Sequence, residues 1–124
     1  MRGAPPRGVE RIAAGRFHQV AHLGTGLAVV HRLPDHRLVL RLTEFRTDEG
    51  RDLQVLLIAA PDALENETVE KSESLLVGPL EKAEGDQSYA LPDQLDLARY
   101  RAVTIWSSKH RVNFMTAPLT LEGN

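Results

Sequence analysis

Leu27-Ala28-Val29-Val30-His31-Arg32-Leu33-Pro34-Asp35-His36-Arg37-Leu38-Val39-Leu40-Arg41-Leu42-Thr43 sets the fold class. Both arms repeat every two residues. One face of the first takes Leu27, Val29, His31 and Leu33, and one face of the second takes Leu38, Leu40 and Leu42, with Arg37, Arg41 and Thr43 pointing away. Alternation of this kind predicts two half-buried strands. Between them, Pro34 presets φ at the first central position of a turn and Asp35 tolerates the second, so the arms should form a hairpin.

The same period runs outward from this hairpin. Leu53 to Ala59 is apolar at nearly every position and reads as a central strand covered on both sides. Further strands are expected near Arg11 to Gln19, Leu75 to Glu81, Ser88 to Leu91, Ala102 to Ser107 and Arg111 to Thr116. Pro61 to Ser74 is charged, with few apolar anchors, and reads as a mobile loop. Only Asp93 to Arg99 offers a helix, of about one and a half turns. Seven or eight short strands with turn signals every roughly 8 to 12 residues predict an all-β antiparallel sandwich or barrel. The expected layout is a linker plus first strand over 1–13, one β domain over 14–121 and a tail over 122–124.

At 124 residues the chain fits one domain that needs neither metal nor disulfide to bury a core. Fifteen Lys and Arg against seventeen Asp and Glu, scattered along the chain, give a formal charge of −2. With one Trp, two Tyr, three Phe and no basic stripe, nucleic-acid binding has little to work with. No cysteine is present, which excludes disulfides, thiolate metal sites, thiol redox chemistry and a cysteine nucleophile within the chain. No apolar run reaches the roughly 18 to 20 residues of a membrane helix, and Met1 to Gly8 lacks a signal-peptide core. That opening reads as a linker, leaving open an upstream signal or anchor.

Between residues 85 and 119 stand Gly85, Gln87, Tyr89 and Pro92, then Val103-Thr104-Ile105-Trp106-Ser107, then Val112, Phe114, Ala117, Pro118 and Leu119. Upstream stand Gly15 and Phe17, His22 with Gly24 and Gly26, Leu40 to Phe45, Gly50 with Asp52, Leu53 and Val55, and Gly78 with Leu80. In this order and spacing the chain resembles, from Gly15 to Leu121, the DM-thirteen (electron transfer DM-type) domain family. The resemblance implies a β-sandwich-like fold in a secreted or membrane-anchored protein. It also implies a redox or electron-transfer role built around a cysteine directly after the tryptophan. Here that position is Ser107, and Arg51 replaces the family's proline between Gly50 and Asp52. Ser107 is either a cysteine changed to serine or the mark of a subgroup that keeps the fold as a binding module, and the second reading is preferred.

Five residues are candidate ligand contacts: His22, Asp52, Trp106, Ser107 and His110. Alternation puts Trp106 opposite Val103 and Ile105, where it is either a stacking platform or covered by a loop as part of a second small core. His110 shares parity with Val112 and Phe114 at the mouth of the hairpin carrying Ser107. A hydrolytic triad there is disfavoured, because no nucleophile-elbow sequence is present. His18, His22, His31 and His36 diverge in direction, so no metal site is expected of them. Asp48, Glu49 and Asp52 around Gly50 read as turn carboxylates capping their own backbone rather than as a calcium loop. Tyr89 and Tyr100 should pack across the sandwich, each hydroxyl bonded to loop backbone.

The expected protein is a non-enzymatic, extracytoplasmic β-sandwich module without a cofactor, binding an unidentified ligand or protein partner. The alternative is an electron-transfer domain acting through a bound haem or metal.

Overall fold

The hairpin that sets the fold class closes as its turn chemistry demands. His36 N–H donates to the Leu33 carbonyl at 2.9 Å, Leu33 N–H to the Arg37 carbonyl at 2.8 Å, and Arg37 N–H to Asp35 Oδ1 at 3.1 Å. His36 takes the left-handed conformation, φ 72°, as in a type I turn followed by a bulge residue. The computed structural model describes residues 8–50 and 52–122, so Arg51 and most of the expected N-terminal linker lie outside the described residues.

Among the described residues, ten strands and one helix follow in order: β1 Glu10–Arg16, β2 His18–Gln19, β3 Gly24–Arg32, β4 Leu38–Thr47, β5 Leu53–Ile58, α1 Asn66–Lys71, β6 Ser74–Pro79, β7 Gln87–Leu91, β8 Ala102–Ser107, β9 Val112–Pro118 and β10 Thr120–Leu121. They build two five-stranded antiparallel sheets, β10-β1-β3-β4-β7 and β2-β9-β8-β5-β6. The architecture is therefore an open sandwich and not a barrel. The strand count exceeds expectation because the first predicted strand divides at Phe17, giving β1 to one sheet and β2 to the other, and because the short β10 adds an edge beside β1.

The core lies between the sheets. Leu38, Leu40 and Leu42 of β4 face Val55 and Leu57 of β5 and Val103 and Ile105 of β8. Burying a side chain of this size contributes about 1.5–3 kcal/mol. On β3 the inward residues are Ala28 and Val30, whereas Leu27, Val29, His31 and Leu33 lie on the outer face. Both faces of β3 are apolar enough to serve. Its pairing with β4, Ala28 opposite Leu42 and Val30 opposite Leu40, decides between them.

The helix lies within Pro61 to Ser74, where a mobile loop was expected, while Asp93 to Arg99 forms turns stapled by Asp96. One anchor, Val69, holds α1 down. With Ala63 it covers Leu56, Ile58, Ala102 and Trp106 on the outer face of the second sheet, forming a second small core. Beneath that cover runs a buried polar row. Thr104 Oγ1 and Thr116 Oγ1 are 3.0 Å apart, Asn113 Nδ2 donates to Thr116 Oγ1 at 2.9 Å, and Asn113 N–H donates to Asn66 Oδ1 at 2.8 Å. A β-bulge makes the row possible. The β8–β9 register shifts between Ile105 and Trp106, so Phe114 and Met115 both enter the main core while Asn113 and Thr116 face the helix.

Tyr89 and Tyr100 hold loops, though differently. The Tyr89 hydroxyl accepts from the Glu81 N–H at 3.0 Å, as expected. The Tyr100 hydroxyl donates to the carboxylate of Glu73 at 2.8 Å rather than to backbone.

Candidate functional site

The turn following β4 and the β8–β9 hairpin meet at one end of the sandwich. Asp52 has φ 55°, a conformation that aspartate tolerates better than most residues. Its carbonyl accepts from Ser108 N–H at 3.2 Å and from Ser108 Oγ at 3.4 Å, which ties the two turns together. Ser107 pairs with Leu53 on one side and Val112 on the other and is fully buried. Its Oγ accepts the backbone N–H of His110 at 3.3 Å, stapling the hairpin turn, and His110 itself is exposed.

His22 joins this end from the segment after β2. Its ring stacks on Phe114 with centroids 3.8 Å apart and planes inclined by 24°. Its Nδ1 is 3.1 Å from Asp48 Oδ2, so Asp48 reaches across to the histidine instead of capping its own turn. Phe114 sits so close to the following turn that a Cβ on Gly50 would come within 2.6 Å of its ring, so a side chain there would force the ring aside.

Four of the five candidate residues, His22, Asp52, Ser107 and His110, thus gather in one loop cluster, Asp52 tied to the hairpin through Ser108 and His22 brought in by Phe114 and Asp48. Trp106 is not among them. It points from the opposite face of β8 into the second core, 8% exposed beneath the α1 segment, and protein covers the place where a ligand would stack.

Two grooves open at the loop end. One is lined by Arg46, Thr47, Asp48, Glu49 and Glu84, the other by Glu49, Asp52, Glu81 and Lys82, each with apolar neighbours. Carboxylates outnumber the cations in these linings, which makes the local potential negative. Thr47 is buried, and its Oγ1 has no hydrogen-bond partner. A buried hydroxyl in that state costs about 1–3 kcal/mol. Sequence reasoning missed it, since only the return of the chain beside Ala83 and Glu84 encloses Thr47.

Among the described residues, no group of three or more His, Cys, Asp or Glu side chains is placed to hold a metal ion. The histidines are dispersed. His18 engages Asp62 from its Nε2 at 2.6 Å and the Gln19 carbonyl from its Nδ1 at 3.2 Å. His31 lies on the outer face of the first sheet, and His36 sits in the β3–β4 turn. The donor set does not fit a metal held by protein ligands, and Ser107 cannot supply the thiol that the family resemblance implies. Nor does Ser107 meet the needs of a hydrolytic nucleophile. It is enclosed, and its hydrogen bond with His110 runs to backbone, not to the imidazole.

No curated protein and no solved structure matches the chain. The family model described as electron transfer DM13 matches residues 16–119, from the end of β1 through Leu119 after β9, and that span takes in β2 to β9 and the loop cluster. The chain therefore belongs to the electron transfer DM13 family.

Proposed function

We propose that this domain is a non-enzymatic, extracytoplasmic binding module that uses its acidic loop end, around His22, Thr47, Asp48 and Asp52, to hold a ligand or a protein partner. The observation that carries this reading is Ser107. The position where relatives are implied to keep a reactive cysteine is here a fully buried hydroxyl serving a hairpin turn, and the chain has no thiol. Polar chemistry open to solvent at this end belongs to the grooves beside it. The extracytoplasmic setting rests on the family's implied occurrence in secreted and anchored proteins. Among the described residues no helix is long and apolar enough to cross a membrane.

The alternative is electron transfer through a bound haem or metal, favoured by the family's description. An absorption spectrum from about 250 to 700 nm with elemental analysis separates the two, on protein purified without chelator and again after haem is offered. The binding reading expects only the aromatic band. A Soret band, or metal near one equivalent, overturns it in favour of electron transfer. The location is tested with a lysine-rich peptide. Salt-sensitive amide shifts should concentrate at Thr47, Asp48, Asp52 and Glu84, and shifts confined to the opposite end of the sandwich would displace the proposed site.

A further inference from the structure

The two sheets treat their outer faces differently. The second sheet is roofed by the α1 segment, whereas the first keeps a groove of about 740 Å³ over β1, β3 and β4. That volume falls within the range of small-molecule sites. Its floor is the alternation that β3 turned outward, with Leu27, Val29 and Leu33 beside Val39 of β4. Arg11 stands directly opposite His31 across the β1–β3 pair. Arg41 stands opposite Val29 across the β3–β4 pair, and is therefore diagonal to His31.

We propose that this groove binds an amphiphilic carboxylate, with its hydrocarbon tail along Leu27, Val29 and Val39 and its anionic head between Arg11 and Arg41. Leu27 and His31 are four residues apart on one strand face, about 13 Å, which suits a medium-length chain. Burial, reinforced by the Arg11 and Arg41 charges, lowers the His31 pKa below its ordinary value. The imidazole is thus neutral near pH 7, while both guanidinium groups stay charged. Arg11 contacts Glu122 at 2.9 Å, and Arg41 contacts Asp86 at 3.2 Å and the Ser88 hydroxyl at 3.3 Å. These partly exposed pairs are weak enough for an incoming anion to replace. A second copy of the chain docked face to face would bring four arginines together, so charge favours the small anion. This groove shares no lining residue with the grooves at the loop end and stands or falls independently of the function proposed above.

The test is an NMR titration with decanoate below its micelle concentration, beside decanol and decyltrimethylammonium. Decanoate should shift Leu27, Val29, Val39 and the Arg11 and Arg41 side chains at saturable concentration and raise the His31 pKa. The double substitution R11Q/R41Q, at partly exposed positions, should weaken decanoate binding at least tenfold while leaving the spectrum dispersed. The proposal is overturned if decanol or the cation binds as tightly as decanoate, or if R11Q/R41Q binds unchanged. It is also overturned if the same residues shift with protein concentration alone, which would mark a self-association face.

Discussion

His22 lies nearly flat on Phe114, with ring centroids 3.8 Å apart, and the carboxylate of Asp48 holds its Nδ1. The phenyl ring belongs to the main core and is 5% exposed, so one side chain joins the interior of the sandwich to its loop end. Phe114→Ala should cost about 3–5 kcal/mol. Phe114→Leu keeps most of the apolar volume and should cost about 1.5 kcal/mol or less. In the leucine variant the upfield ring-current shifts of the His22 protons should vanish in the proton NMR spectrum. Their persistence would show that the stack does not exist in solution.

Restoring sulfur at the hairpin tests whether position 107 is reactive in this fold. Ser107→Cys places a lone thiol at a fully buried site, where burial in apolar surroundings opposes the thiolate. Its reaction with a water-soluble disulfide reagent should run ~100-fold or more below that of a small free thiol, because attack waits on local opening of a few kcal/mol. Reaction at the free-thiol rate would show that the hairpin tip opens readily and that a cysteine here could act.

Gln87 holds the loop between β6 and β7. Its Oε1 accepts from the N–H groups of Glu81 and Lys82 and from the Tyr89 hydroxyl, the last at 2.6 Å, and its Nε2 donates to the Lys82 carbonyl at 2.9 Å. Gln87→Leu strands these groups and should cost about 2–4 kcal/mol in denaturant unfolding, several times the ordinary value of one hydrogen bond. Tyr89→Phe removes a single member and should cost about 1 kcal/mol. Equal losses in the two variants would remove Gln87 from its central place.

His18 provides a pH-dependent tie between β2 and the segment leading to α1. Burial alone would lower its pKa, but the hydrogen bonds to Asp62 and the Gln19 carbonyl, with the carboxylate charge, outweigh it and leave the pKa raised. A raised histidine pKa gives stability that is fully present below the unfolded value, about 6.5, and is lost as pH rises through the folded value. Asp62→Asn should lower the His18 pKa in an NMR titration and flatten the stability profile across that window. An unchanged His18 titration would mean that the pair does not form.

Trp106 reports on the second core. Its emission should be blue-shifted in the native protein, and Val69→Asp, which buries a charge beneath α1, should shift it to the red with the main core still folded. A native spectrum in that variant would mean that the helix is not what covers the indole.

The alternation in β4 and β8 fixes much of this structure without reference to any tertiary contact. Leu38, Leu40 and Leu42 face inward, Arg41 and Thr43 outward, and Trp106 opposite Val103 and Ile105, because a strand's period of two is a local property of the backbone. The same holds for the turn at Pro34 and Asp35 and for the absence of a thiol. Other features depended on which surfaces met. β3 is apolar on both sides, and only its register with β4 sent Ala28 and Val30 inward. Val69 gives α1 a single anchor, too little to predict a helix until Trp106 and Ile58 supply a surface to cover. A bulge that shifts the β8–β9 register turned Asn113 and Thr116 toward that helix. The approach of His22 to Phe114, the enclosure of Thr47 and the alignment of Arg11, His31 and Arg41 join residues from different strands and loops. Local sequence sets each side chain's direction along its own strand, but the distance between strands is set only when the sheets pair and pack.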